Sequence, residues 1–232
     1  MELADKASVF AKERGALFME GLRRLKGYFL FGIIYMVLFD FVEARNVKYH
    51  VIHSQLDEWI PFCEYFVVPY FLWFIFITVT VLYFAFYVKD KREFTCLMRS
   101  LCIGMALFII ISLVLPNGQK LRPKLAGEEG FFVDLVKLVY RKDTPTNIFP
   151  SIHVYNSVVC CVAVLKNEAC RKRLWVTIGT VILTILILAS TVLIKQHSII
   201  DLVGALLLNV VVAVGVYWPG RVYVSKSKRV IS

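Results

Sequence analysis

Two histidines and one aspartate in the C-terminal half of the chain have the spacing of a nucleophile with its helpers. His197 and Asp201 are four residues apart, so on a helix their side chains share one face. Asp201 can then hold one imidazole nitrogen while the other attacks a phosphorus atom. His153 lies within one turn of the start of an apolar stretch, where it is placed to protonate a leaving oxygen. This pattern predicts covalent phosphoryl chemistry.

Residues suited to binding a phosphate group lie near these histidines in the sequence. Arg122 offers a planar guanidinium that matches phosphate oxygens. Pro150 and Ser151 suit the first turn of a helix, whose free amides and dipole attract an anion. Three polar segments interrupt the outer ends of the apolar stretches, and we expect them to meet at one membrane surface: residues 118–123, 147–157 and 190–201.

These residues form three motifs similar to those of the type 2 phosphatidic acid phosphatase superfamily. The motifs here are Arg122-Pro123, then Pro150-Ser151-Ile152-His153, then Ser190 with His197 and Asp201. The resemblance extends over about residues 60 to 215. It implies that His197 forms a phosphohistidine, that His153 is the general acid, and that no metal or other cofactor is required.

The chain departs from the family motifs at three positions. Leu115 stands where the first motif has lysine, Ile152 where the second has glycine, and Thr191 where the third has arginine. We expect Lys195 to supply the missing cation, because it lies about one helical turn after Thr191. Lys120 and Lys124 are the next candidates.

Long apolar runs predict an all-α integral membrane bundle. Hydrophobic residues make up 59% of the 232-residue chain, and a membrane-spanning helix needs about 20 of them in sequence. Six apolar stretches are predicted as spans, of which the first and fourth are short: residues 27–42, 62–88, 94–116, 148–165, 174–194 and 199–218. We predict three regions, namely an amphipathic cytoplasmic surface helix over 1–26, the six-helix domain over 27–220, and a basic cytoplasmic tail over 221–232.

The basic residues predict the orientation of the chain. Of its 27 lysine and arginine residues, 18 fall on the side that holds both termini, and the positive-inside rule makes that side cytoplasmic. Six of the others lie in one outer loop that also contains an amphipathic segment, Phe131 to Tyr140, which we expect on the membrane surface. The net charge of +10 therefore reflects topology, and nucleic acid is not an expected partner.

Several other polar or aromatic residues have simpler interpretations. Tyr70 and Trp73 at the outer end of the second stretch are typical of an interfacial aromatic belt, with a headgroup or acyl-chain wall as the alternative. Glu43 is interpreted as an interfacial acid, and His50 and His53 as loop residues. A metal site at His197 and Asp201 suits the spacing, but nearby Arg122 and Lys195 would repel a cation.

The sequence therefore predicts a cell-membrane enzyme that hydrolyses a lipid phosphate or pyrophosphate at the outer leaflet, with membrane lipids as its surroundings. Phosphatidic acid, phosphatidylglycerol phosphate, polyprenyl pyrophosphate and a sphingolipid remain open as substrates. A phospho-headgroup transferase is the first alternative, because residues 149–154 and 195–201 resemble the inositol phosphorylceramide and sphingomyelin synthase branch. A six-helix transporter is the second, although such proteins place their charges near the membrane midplane.

Overall fold

The computed structural model describes the backbone of residues 2–217 and the side chains of residues 15–217. A short 3-10 helix (Glu64–Phe66) and nine α-helices occur in this part of the chain: α1 (Glu2–Glu43), α2 (Gln55–Trp59), α3 (Val67–Phe86), α4 (Lys91–Val114), α5 (Phe131–Lys142), α6 (Ile152–Lys166), α7 (Glu168–Arg171), α8 (Leu174–Leu193) and α9 (Ile199–Tyr217). Two short strands, β1 (His50–Val51) and β2 (Asn117–Gly118), pair in parallel. The chain is therefore all-helical apart from this one pair of strands in the described residues.

Five helices are long and apolar enough to cross a membrane. They correspond to residues Gly15–Glu43, Glu64–Phe86, Lys91–Val114, Leu174–Leu193 and Ile199–Tyr217. The remaining predicted span, α6, has 15 residues, fewer than the roughly 20 that usually cross the hydrocarbon. The structure thus supports a multi-pass membrane protein, with five of the six predicted spans reaching full length.

Helix α6 lies inside the bundle. It packs against α3, α4, α8 and α9, and ten of its residues are buried. Its polar residues Asn156 and Ser157 are buried as well, which suits a helix surrounded by protein more than one facing lipid. The second motif therefore sits at the N-terminus of the central helix.

The N-terminal region differs from the predicted boundary at residue 26. Helix α1 continues without a break from Glu2 to Glu43, and its membrane-length apolar part begins at Gly15. Near this point Phe18 stacks on Phe86 at 5.3 Å between ring centroids. The surface-helix assignment for residues 1–26 stays a prediction, and the predicted tail over 221–232 lies outside the described residues.

One end of the bundle gathers the connections that the sequence assigns to the outer face. The strand pair joins the loop after α1 to the segment that directly follows α4. Helix α5 packs on the start of α3, where Val136 and Val139 are buried with Val67 and Tyr70. The predicted amphipathic segment is therefore helical, with its apolar face against this end of the bundle.

Candidate active site

His197 and Asp201 lie together at the start of α9. The His197 Nδ1 is 3.4 Å from the Asp201 Oδ2, and both side chains are buried. That separation is longer than an ordinary hydrogen bond, as is common in unliganded catalytic sites before substrate tightens them. The arrangement leaves Nε2 as the nitrogen of His197 that faces away from the carboxylate.

The first turn of α9 is fixed by a second aspartate, which the sequence did not single out. Asp57, on α2, accepts hydrogen bonds from Ser198 Oγ at 2.6 Å and from the Ile199 amide at 2.8 Å. Asp57 is 2% exposed, so these bonds satisfy helix-end donors that would otherwise be buried without partners. The α2 loop therefore positions the first turn of α9, which directly follows His197 and Ser198.

His153 faces His197 across the centre of the site. Their ring centroids are 5.8 Å apart. Two aromatic residues of α3 hold the other faces of the His153 ring, with centroid distances of 4.5 Å to Tyr70 and 4.3 Å to Trp73. Tyr70 is 2% exposed, so its assignment to an exposed aromatic belt was wrong, and the alternative role as a wall of the site fits its position.

The three polar segments predicted to meet are in direct contact. The Ser151 amide donates to the Asp201 carbonyl at 3.3 Å, which joins the second and third motifs. Asn117 Oδ1 accepts from the Ile148 and Phe149 amides at 2.9 Å each, and Gln119 Nε2 donates to the Lys195 carbonyl at 2.9 Å. These bonds connect all three segments at one end of the bundle.

Lys195 does not have the helical position from which it was expected to act as a phosphate clamp. Helix α8 ends at Leu193, and Lys195 lies in the following turn with φ of +54°. Its ammonium donates to the carbonyls of Asp57, at 2.7 Å, and of Ile60. Burial lowers the pKa of Lys195, an effect that Asp57 opposes. In this structure Lys195 fastens the α2 loop.

Arg122 lies beside the histidines but is engaged by protein groups. Its guanidinium stacks over Tyr140, 4.4 Å from the ring centroid, and donates to the carbonyls of Tyr140 and Asp143 at 3.1 and 2.6 Å. Burial lowers the pKa of Arg122, while the Asp143 carboxylate opposes that shift. Lys120 is exposed. The phosphate contacts assigned to Arg122, Lys120 and Ser151 stay predictions.

Both histidines line a small cavity, together with residues that the sequence did not assign to the site. Glu43, Asp143 and Gln196 line it together with His153 and His197. Asp143 Oδ2 accepts from Tyr70 Oη at 2.6 Å and from Gln196 Nε2 at 3.0 Å. Glu43, interpreted from the sequence as an interfacial acid, lies at the end of α1 and accepts hydrogen bonds from Thr144 and Asn147 beside this cavity.

A larger, mainly apolar cavity of about 470 Å³ lies on the other side of His153. Its walls come from α1, α3, α5 and α6, and they include the following side chains: Tyr35, Met36, Phe39, Tyr70, Phe71, Trp73, Phe74, Leu138, Val139 and Ile152. The larger cavity adjoins the small one at Asp143 and His153, because each of these two residues lines both cavities. An amphiphilic molecule would match this pair of cavities.

Metal binding has no obvious protein ligands here. Among residues 15–217, no group of three or more histidine, cysteine, aspartate or glutamate side chains is close enough to hold an ion. The described groups that can carry chemistry at this site are the imidazoles of His153 and His197 and the carboxyl groups beside them.

Fold and site together define a helical, multi-pass membrane protein with a paired-histidine site at one end of the bundle. Residues 116–221 match the family model described as PAP2 superfamily. This range is similar to the PAP2 superfamily, and the predicted resemblance is confirmed over it. Members of this superfamily are generally phosphatases, so the region indicates phosphatase or phosphoesterase activity on a phosphate-bearing substrate. No curated protein and no solved structure matches the chain.

Proposed function

We propose that this protein is a membrane phosphoesterase that hydrolyses a lipid-linked phosphate through a phosphohistidine on His197. The observation that carries the proposal is the position of His153. It faces His197 at 5.8 Å and also lines the large apolar cavity. A substrate with its phosphate between the histidines would have its hydrocarbon part in that cavity, with the scissile oxygen next to His153.

The proposed reaction has two steps. His197 Nε2 attacks phosphorus, the bond from phosphorus to the lipid oxygen breaks, and His153 gives that oxygen a proton. Water then attacks the phosphohistidine, its proton passes to His153, and His197 is released. Asp201 positions His197 and stabilises the charge that develops on the ring, because its carboxylate lies beside Nδ1.

A lipid substrate is supported by the walls of the apolar cavity. They are formed largely by aromatic and aliphatic side chains of helices that are long enough to span a membrane. A hydrocarbon chain buried there would gain about 0.8 kcal/mol for each methylene removed from water. The parts of these walls that come from α1 and α3 lie outside the range matched by the family model.

The location of the reaction follows from the same distribution of charge that orients the helices. With both termini in the cytoplasm, the ends of α4 and α8 and the starts of α6 and α9 lie on the extracytoplasmic side. We therefore place the site at the outer leaflet of the cell membrane.

Covalent trapping tests the proposed function. Purified protein in detergent is mixed with ³²P-labelled phosphatidic acid and with p-nitrophenyl ³²P-phosphate, then denatured in alkali, where phosphohistidine survives. The unaltered chain is expected to carry label, and His197→Asn to carry none. His53→Asn, in an exposed loop, is the matched control and should label normally. Label that persists in His197→Asn would contradict the assigned nucleophile.

A further inference from the structure

The small cavity beside the two histidines cannot hold a whole phosphate group. Its volume is about 30 Å³, room for little more than a water molecule. The larger cavity, of about 470 Å³, adjoins it at Asp143 and His153. A phosphate that His197 attacks must therefore extend through this junction into the larger cavity. The side chains around the junction decide which charges the phosphate meets.

The small cavity itself offers a phosphate no positive charge. Two carboxyl groups, those of Glu43 and Asp143, line it, and no lysine or arginine is among its described lining residues. A phosphate monoester carries about −1.5 to −2 charges at neutral pH. A charge taken out of water is costly unless an opposite charge or hydrogen-bond donor accompanies it. A cation therefore has to come from another wall of the site.

The positions that carry cations in the family motifs do not supply it. Leu115 and Thr191 stand where two of those cations would be. The Lys195 ammonium is bonded to two backbone carbonyls near α2. The Arg122 guanidinium is bonded to two backbone carbonyls at the end of α5 and stacks on an aromatic ring. Both of these cations are thus already engaged by protein groups.

Lys142 has the position that such a cation requires. It is the last residue of α5, and among the described residues it is the one lysine or arginine that lines either cavity. It directly precedes Asp143, which lines both. Its side chain is exposed, and the ion pairs formed within the described chain involve other cations. Its ammonium is therefore available to a ligand at the cavity junction.

Neighbouring basic residues differ from Lys142 in their surroundings. Arg141, the preceding residue, is exposed and is not among the described residues that line the two cavities. Lys120 is likewise exposed and outside both linings. The Lys137 ammonium is bonded to a carbonyl and a carboxylate close to it in the sequence. Exposure to a cavity beside the histidines thus distinguishes Lys142 from these three.

We infer that Lys142 is a phosphate-binding residue of this site and replaces a cation that the motif positions lack. The inference rests on the proposed function, because the phosphate concerned is the one that His197 attacks. The hydrocarbon of the lipid lies in the larger cavity, its phosphate lies at the junction, and the Lys142 ammonium contacts the phosphate oxygens. Lys142 supplies charge and transfers no proton, so the two covalent steps are unchanged.

Two simpler roles of Lys142 have to be separated from phosphate binding. Its aliphatic stem can cover the apolar cavity while the ammonium stays in water, and a cation in the last turn of a helix stabilises the helix dipole. Lys142→Met keeps an unbranched apolar side chain and removes the charge, whereas Lys142→Arg keeps the charge. Arg141→Met removes a charge from the same turn and is the matched control.

Lipid binding tests the inference without depending on turnover. Each substitution is combined with His197→Asn, and dissociation constants are measured in detergent micelles for phosphatidic acid and for diacylglycerol with the same acyl chains. The two lipids differ only in the phosphate. Lys142→Met should weaken the binding of phosphatidic acid roughly tenfold and leave that of diacylglycerol unchanged. Lys142→Arg and Arg141→Met should bind both lipids as the His197→Asn protein does.

Turnover provides the second arm, in chains that keep His197. Lys142→Met should raise KM for phosphatidic acid roughly tenfold with little change in kcat, because the ammonium contacts the phosphate in both the ground state and the transition state. Salt screens exposed charges, so this difference from the unaltered protein should shrink between about 0.05 and 0.5 M sodium chloride. A loss caused by missing packing of the stem would persist at the higher salt concentration.

Equal affinity of the Lys142→Met protein and its background for phosphatidic acid would overturn the inference. An equal loss for diacylglycerol, or the same loss in Arg141→Met, would also overturn it. Failure of the proposed function would look different, since the unaltered protein would cleave no lipid phosphate and form no phosphohistidine on His197, whatever the lipid affinities. If His197 labels normally and Lys142→Met binds normally, the phosphoesterase proposal stands and only the role of Lys142 is lost.

Discussion

One carboxylate oxygen of Asp201 serves both the start of α9 and the histidine one turn before it. Oδ2 accepts a 2.8 Å hydrogen bond from the Ser198 amide and lies 3.4 Å from His197 Nδ1. The first contact stabilises the helix end, as in a capping box, while the second orients an imidazole. To tell the two roles apart, a variant of Asp201 has to keep the contact with the Ser198 amide and remove the charge beside His197.

Asp201→Asn is expected to do so. Its amide oxygen can still accept from Ser198, but it no longer offers a charge to the His197 imidazolium, so kcat should fall by roughly 100-fold or more. The midpoint of thermal unfolding should change little. Asp57→Asn is the contrast: Asp57 accepts from three groups, Ser54, Ser198 and Ile199, so that variant should lose stability. An Asp201→Asn protein that unfolds at a clearly lower temperature but keeps a normal kcat would show that Asp201 serves folding alone.

His153→Gln should slow the release of poor leaving groups more than good ones. The general acid matters when the departing oxygen needs a proton, as a lipid alkoxide does, and matters little for an aryl oxide. We expect a loss in kcat/KM of roughly 100-fold or more on a lipid ester and a much smaller loss on p-nitrophenyl phosphate. Equal losses on both substrates would contradict the assignment of His153 as the acid.

The sequence predicted the parts of this fold that depend on local pattern. Apolar runs identified the membrane-length helices. His197 and Asp201 are close, as their spacing predicted, although His197 lies in the bend before α9 and not on the helix itself. The order of the three motifs along alternating spans was enough to predict that their segments meet, because each span reverses the chain's direction.

Local sequence patterns could not predict which residues reach the site from distant parts of the chain. Asp57 and Glu43 lie more than 100 residues before His197, and only the fold turns them inward. The helical position assumed for Lys195 was wrong, because α8 ends at Leu193. Asp143 carried one signal, since it directly follows an amphipathic helix and precedes the second motif's segment.

Lys195 should therefore act on stability more than on substrate binding. Lys195→Ala leaves the carbonyls of Asp57 and Ile60 without their buried donor, which is expected to destabilise the fold by about 1–3 kcal/mol. Thermal unfolding in detergent measures this, with exposed Lys124→Ala as the control. Adding Thr191→Arg should not rescue the variant, because Thr191 is fully buried. Rescue of kcat/KM by that arginine would revive the phosphate-clamp role.

Accessibility in intact cells tests the orientation of the bundle. Glu129→Cys, in the loop before α5, should react with a membrane-impermeant maleimide, and Glu168→Cys, on α7, should react only after permeabilisation. Both residues are exposed, so a difference between them reports sidedness. Labelling above the background of the unaltered chain is the measured quantity. The opposite pattern would place the histidines on the cytoplasmic side.

The close approach of α4 to α6 gives a test of how tightly the central helix is held. A methyl group added at Gly104 would lie 1.9 Å from Cε1 of the buried Tyr155 ring. The Tyr155 hydroxyl donates to the Ser100 carbonyl at 2.8 Å, so the ring cannot move aside without losing that bond. Gly104→Ala should destabilise the protein by about 1–3 kcal/mol.

Gly179→Ala, on α8, is the matched control for Gly104→Ala. No atom lies within 4 Å of the added methyl group there, so the substitution should stabilise the helix by roughly 0.5–1 kcal/mol through the lower backbone entropy of alanine. Because α6 begins at the second motif, Gly104→Ala should also lower kcat on every substrate without changing their order. Replacing the ring with the smaller leucine side chain, as Tyr155→Leu, should raise the unfolding midpoint of the Gly104→Ala protein part of the way back to that of the unaltered chain. Equal midpoints for Gly104→Ala and Gly179→Ala would show that α4 and α6 are not in such close contact.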